Sequence, residues 1–244
     1  MLNPYIESGE NKKDQVSRMF DSIAWRYDFL NHFLSFGIDR RWRRRAIHFL
    51  SQVSPETIID VACGTGDLSI EALKLKPRKI IGVDISEGML AKGREKLGRK
   101  SLENIITLVQ GDSEALQFDD ESFDAAMVAF GVRNFEDLNQ GMAEMLRVLK
   151  PGGMLVVLEF SKPRSPFFKK IFNFYFFRIL PLVGSLFSKD ASAYSYLPDS
   201  VNVFPDRIDF LDIMRKVGFI DACFEELTMG IVCLYYGKKE LFTK

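Results

Sequence analysis

Between Ile58 and Phe160 the chain alternates short apolar, β-branched runs with segments whose apolar residues recur at helical spacing. That alternation is compatible with few architectures. Residues 58–62, 80–84, 105–109, 124–130 and 154–160 have the length and composition of buried strands, and residues 68–75 and 87–97 have the helical period, as does the stripe Leu138, Met142, Met145 and Leu149. The turn Lys150-Pro151-Gly152-Gly153 is expected to end the last of these helices and launch the fifth strand. Residues 208–217 predict a further helix. Residues 219–228 and 231–236 predict two strands that close the sheet as an antiparallel hairpin. Strands joined through helices imply right-handed βαβ crossovers, so the expected fold is α/β, a doubly wound, mostly parallel seven-stranded sheet covered on both faces.

Two segments lie outside this rhythm. Over residues 16–53 the apolar positions Phe20, Ile23, Tyr27, Leu30 and Leu34, then Trp42, Ala46, Phe49, Leu50 and Val53, predict two or three N-terminal helices. Residues 161–205 form a phenylalanine-rich insert after strand five. The 244 residues therefore read as a single domain with these two appendages.

Lysine plus arginine and aspartate plus glutamate both number 33, so no global positive field draws the chain to nucleic acid. The run Arg40-Arg41-Trp42-Arg43-Arg44-Arg45 lies on a helix whose buried stripe contains Trp42, which puts the arginines on a solvated face; attraction to anionic lipid ranks second and RNA a distant third. Cys63, Cys223 and Cys233 form no CxxC pair and are odd in number, which argues against a disulfide framework and a zinc site and fits a reducing, cytoplasmic setting. The apolar stretch 171–187 is interrupted by Arg178 and Pro181 and falls short of a membrane span.

The candidate site begins at the first strand-to-helix turn, Asp60-Val61-Ala62-Cys63-Gly64-Thr65-Gly66-Asp67. Gly64 and Gly66 let the backbone turn sharply and approach a ligand at a helix N-terminus. A dinucleotide fingerprint would place a third glycine at Ser69 and keep carboxylates from a pyrophosphate, whereas Asp60 and Asp67 flank this loop. S-adenosylmethionine carries a positive ammonium and sulfonium and no phosphate, and fits better. Asp84, ending the second strand, is placed to accept both ribose hydroxyls, and Asp112, in Gly111-Asp112-Ser113 after the third, to accept from the adenine amino group. Cys63 reads as a packing residue.

These motifs resemble those of the class I methyltransferases. Within that class the chain is similar to the ubiquinone/menaquinone biosynthesis C-methyltransferases, nearest their demethylmenaquinone methyltransferase branch. The resemblance is carried by Met19-Phe20-Asp21-Ser22-Ile23-Ala24, Leu34-Ser35-Phe36-Gly37-Ile38, Phe130-Gly131-Val132-Arg133-Asn134, Leu158-Glu159-Phe160-Ser161-Lys162-Pro163 and Tyr194-Ser195-Tyr196-Leu197. It implies that Thr65, Asp84, Asp112 and Ser113 contact the cofactor. Ala129 stands where some members, notably on the ubiquinone side, carry a serine that touches it.

The resemblance implies an isoprenoid quinol as methyl acceptor. A ring carbon becomes nucleophilic when a neighbouring hydroxyl ionises, and a phenol has a pKa of about 10, so the enzyme must stabilise the phenolate. Arg133, just past the fourth strand, is the candidate; its alternative role is an ion pair with Asp137 at helical spacing. The phenylalanine-rich insert has three open roles: core, lid over the isoprenoid tail, or membrane-facing surface. Two other functions stay open, a sterol or other small-molecule methyltransferase and a non-catalytic S-adenosylmethionine-binding partner protein.

Overall fold

The computed structural model describes residues 3–5, 9–25, 28, 35, 37–175, 178 and 192–241, with the backbone alone described for 192–195. Of the residues named above, Tyr27, Leu30, Leu34, Phe36 and Pro181 lie outside this set, as do Phe176, Phe177 and Phe187 of the insert and the side chains of Tyr194 and Ser195.

Two N-terminal helices, α1 (Lys12–Ile23) and α2 (Asp39–Leu50), precede β1 (Thr57–Val61), α3 (Asp67–Ala72), β2 (Lys79–Asp84), α4 (Glu87–Arg99), β3 (Ile106–Gln110), β4 (Phe123–Ala129), α5 (Leu138–Val148) and β5 (Leu149–Phe160). The insert contributes α6 (Pro166–Phe174) and α7 (Ser192–Val203). The chain then closes with α8 (Ile208–Val217), β6 (Ile220–Leu227) and β7 (Val232–Lys238). The sheet has seven strands in the order β3-β2-β1-β4-β5-β7-β6, with β7 antiparallel to both neighbours and the other pairings parallel.

Strand periodicity divides the core into two layers. Ile59, Val61, Ala126, Val128, Leu155 and Val157 face α5 and α8, where Met142, Met145, Phe210 and Met214 complete one cluster. Their neighbours Ile58, Ala125, Met127, Val156 and Leu158 face the other way, against Trp42 and Leu50 of α2, Leu68 of α3 and Leu90 and Leu97 of α4. Helix starts follow local chemistry. Asn11, Ser86 and Asp137 each accept a backbone N–H of the first turn of α1, α4 and α5.

Two expectations require correction. Lys150-Pro151-Gly152-Gly153 is not a turn ahead of the strand but part of β5. Leu149 already pairs with Phe123, the register with β4 shifts across this segment, and Gly152, at φ +77°, donates to the Lys239 carbonyl. The arginines of α2 do not all face solvent. Arg43 is 9% exposed because two carboxylates converge on it, Asp39 and, at 3.4 Å, Asp67. Arg45 forms a two-pronged pair with Glu225 of β6. His48 is exposed.

In the insert, Phe172 of α6 packs on Val201 of α7, while Phe167, Ile171 and Phe174 are exposed. Among the described residues no helix is long and apolar enough to cross a membrane.

Candidate active site

The C-terminal ends of β1, β2, β3 and β4 frame a solvent-open cleft, roofed on one side by α1. Gly64, Asp84, Asp112 and Ser113 line it, together with Ala129, Phe130 and Asn134 from the end of β4. Thr65, Gly66 and Arg133 do not. Thr65 is buried beside the cleft, its hydroxyl held by Lys96 Nζ at 2.8 Å and by Asp28.

Backbone shape follows from sequence at the turn after β1, where Gly64 (φ +55°) and Gly66 (φ +80°) are left-handed. Two residues without that freedom, Ala62 (φ +53°) and Phe130 (φ +60°), adopt the same region directly after β1 and β4. Both line the cleft, and strained positions of this kind concentrate where a ligand is held. A Cβ on Gly131 would lie 2.6 Å from that of Ala62, so only glycine lets these two loops meet.

The charge argument drawn from the loop holds for the cleft but not for the residues first chosen. Asp67 turns away to Lys96 (2.9 Å) and Arg43, and Asp60 lies beneath the loop, bonded to Ser69 at 2.6 Å, with burial raising its pKa to about 7. Neither lines the cleft; the carboxylates that do are Asp84, Asp112 and Glu114. Asp84 is 9% exposed and accepts the N–H groups of Gly64 (2.7 Å) and Ser86 (2.9 Å); burial raises its pKa to about 6, against those two hydrogen bonds. Two backbone donors leave lone pairs for two hydroxyls. Asp112 accepts from the Glu114 N–H and is ion-paired with Lys13 of α1 at 2.7 Å, a contact that sequence reading missed because Lys13 lies 99 positions earlier. Asn134 Oδ1, buried and without a partner among the described residues, is a polar atom of a residue in the cleft wall that can take a donor.

Arg133 lies in the short helical turn just after β4, its side chain 8% exposed. Its partner is not Asp137, which caps α5, but Glu159 near the end of β5, fully buried and 2.8 Å away. Parallel pairing of Ala129 with Leu158 brings the two together. Burial raises the Glu159 pKa and the Arg133 charge opposes the shift. Arg133 Nη1 also donates to the Phe130 carbonyl, Nε reaches Ser200 Oγ of α7 at 3.3 Å, and the guanidinium lies 5.6 Å from the Phe160 ring centroid. Trp42, Phe130 and Phe160 pack on one another nearby, and of the three Phe130 lines the cleft.

An orphan amide oxygen, a buried carboxylate with spare lone pairs and further acidic groups fit a cationic, hydroxyl-bearing ligand. With this strand order they make the protein a class I S-adenosylmethionine-dependent methyltransferase acting on a small molecule. Residues 8–239 match the ubiE/COQ5 methyltransferase family, and the chain belongs to it. It is 49% identical to the ubiquinone/menaquinone biosynthesis C-methyltransferase UbiE of Geobacter sulfurreducens, over 94% of this chain and 90% of that one. It is 48% identical to the demethylmenaquinone methyltransferase of Bacteroides fragilis, over 98% and 97%. Among solved structures, a SAM-dependent methyltransferase from Thermotoga maritima superposes with a TM-score of 0.61 over 92% of this chain and 99% of that one, at 21% identity, a likeness of fold.

Proposed function

We propose that the protein transfers the methyl group of S-adenosylmethionine to a ring carbon of demethylmenaquinol, giving menaquinol. The observation that carries the choice of acceptor is the similarity to the Bacteroides fragilis demethylmenaquinone methyltransferase, which runs through 98% of this chain and so includes the insert.

In this reading Asp84 accepts the ribose hydroxyls and Asp112 the adenine amino group, with Ser113 beside it. Gly64, Thr65 and Gly66 supply the turn for the methionine end. When bound, the cofactor supplies an electrophilic methyl on a sulfonium. Lys13, on Asp112, ties α1 across the adenine end of the cleft. Arg133, with Glu159 fixing its guanidinium, stabilises the ionised ring hydroxyl that makes the neighbouring carbon nucleophilic. Trp42, Phe130 and Phe160 shield that end from water.

The test is methyl transfer from labelled S-adenosylmethionine to reduced demethylmenaquinone, with the oxidised quinone and a ubiquinone-precursor quinol in parallel. Strong labelling of the reduced naphthoquinol alone is expected. Silence on every quinol would end the acceptor assignment and leave the sterol-type and non-catalytic readings.

The exposed Phe167, Ile171 and Phe174 on α6, beside exposed Lys169 and Lys170, support peripheral contact with the membrane that holds an isoprenoid quinol. Co-sedimentation with vesicles should rise with anionic lipid content and fall in Phe167→Ser/Phe174→Ser; equal binding to neutral and anionic vesicles, or none, removes this part.

A further inference from the structure

The guanidinium of Arg133 has one end anchored and one end open. Nη1 is taken by Glu159 and the Phe130 carbonyl, and Nε by Ser200; Nη2 has no partner among the described residues. Glu159 is itself held by the Phe160 N–H at 2.8 Å and is fully buried, so the anchored end is rigid. The anchoring geometry therefore presents Nη2 as a fixed charged donor.

A second polar group comes from α7. Tyr196 is 5% exposed, and its buried hydroxyl has no partner among the described residues. It sits four residues before Ser200 on α7, hence one turn along the same helix face from the residue that holds Arg133 Nε. Arg133 and Glu159 are both within its electrostatic reach. Its ring packs on Met19, Ile23, Phe20, Tyr175 and Leu197, a wall of largely apolar side chains. Leaving such a hydroxyl unpaired costs stability, and a ligand oxygen or a water that reaches it offsets that cost.

We infer that the Tyr196 hydroxyl and Arg133 Nη2 form one oxyanion subsite, which receives the ionised ring hydroxyl of a phenolic acceptor. The inference rests on the reading that the acceptor is a quinol, and assigns to Tyr196 a role as hydrogen-bond donor in it. Burial pushes the tyrosine pKa up to about 12, so the hydroxyl keeps its proton at neutral pH and cannot serve as the base. The proton lost by the acceptor passes to water, and the subsite holds the charge left behind. A charged donor and a neutral donor converging on one oxygen favour a phenolate over an amine, which would bring protons of its own against the guanidinium.

The experiment uses the full chain with S-adenosylhomocysteine and 4-nitrophenol as probe, following the phenolate absorbance against pH. Binding to the wild-type protein is expected to favour the phenolate, and Tyr196→Phe to weaken phenolate binding by about tenfold, the loss of one hydrogen bond to a charged oxygen. Turnover on the quinol should fall by a similar factor, and the acid limb of its pH profile should move upward, with affinity for S-adenosylmethionine unchanged. The thermal midpoint should hold or rise, because the variant removes an unpaired buried hydroxyl; Arg133→Lys should show the same probe defect with the hydroxyl intact. Equal phenolate binding and equal turnover in wild type and Tyr196→Phe would overturn the subsite. A Tyr196-dependent shift of the probe without turnover on any quinol would overturn the acceptor assignment and leave the subsite standing.

Discussion

Asp84→Ala is expected to weaken S-adenosylmethionine binding by roughly 100- to 10,000-fold, measured by isothermal titration calorimetry at pH 7.5. Two ribose hydroxyls on an ionised carboxylate are charge-assisted hydrogen bonds, each worth about 1.5–3 kcal/mol, and about 1.4 kcal/mol is a factor of ten. Stability should change little, because two effects oppose. The variant loses the acceptor for the Gly64 and Ser86 N–H groups, about 1 kcal/mol each. It also removes a buried carboxyl whose pKa is raised from 3.8 to about 6, a penalty of about 3 kcal/mol once ionised. The sign of the pH dependence follows. Folded Asp84 binds its proton more tightly than unfolded, so its contribution to the stability of the ligand-free protein is complete below pH 3.8 and is lost as pH rises through about 6. Ribose hydroxyls prefer the ionised form, so cofactor affinity should climb between about pH 5 and 7 in the wild type and flatten in Asp84→Ala. A variant that binds as tightly as wild type would remove Asp84 from the site.

Arg133→Ala should lose both turnover and stability, and Arg133→Lys mainly turnover. The alanine leaves Glu159, 0% exposed, as a buried unpaired carboxylate, which costs about 3–5 kcal/mol. In a domain of this size that lowers the thermal midpoint by on the order of 10 °C. Lysine restores a positive charge for Glu159 but not the fork that serves Glu159, Phe130 and Ser200 together. Turnover on the quinol should fall by on the order of 100-fold in both variants, as for loss of one oxyanion donor, with cofactor affinity within a few-fold of wild type. The double variant Arg133→Ala/Glu159→Gln should recover most of the stability and none of the activity. Recovery of activity in that double variant would show that Arg133 acts only as the structural partner of Glu159.

The strands, the helices between them and the closing hairpin were legible in the chain because strand and helix periods are local properties, carried by neighbouring apolar residues such as Ile58, Ile59 and Val61 or Met142 and Met145. The glycine turn was legible for a similar reason, since two closely spaced glycines between a strand and a helix permit the left-handed backbone that Gly64 and Gly66 adopt. Asp84, Asp112 and Ser113 could be placed on one edge because each follows a parallel strand, and parallel strands bring their C-terminal ends together.

Electrostatic partnership was decided only by the tertiary structure. Spacing alone offered Asp137 to Arg133, but parallel pairing of β4 with β5 delivered Glu159, and α7 brought Ser200 and Tyr196. It likewise turned Asp67 out of the cleft toward Arg43 and Lys96, drew Lys13 onto Asp112, and fed the Gly152 N–H to Lys239 within an extended β5. Periodicity fixes which face of an element is apolar. Which charge meets which depends on side chains that reach between elements, and those distances exist only once the sheet and its covering helices have closed.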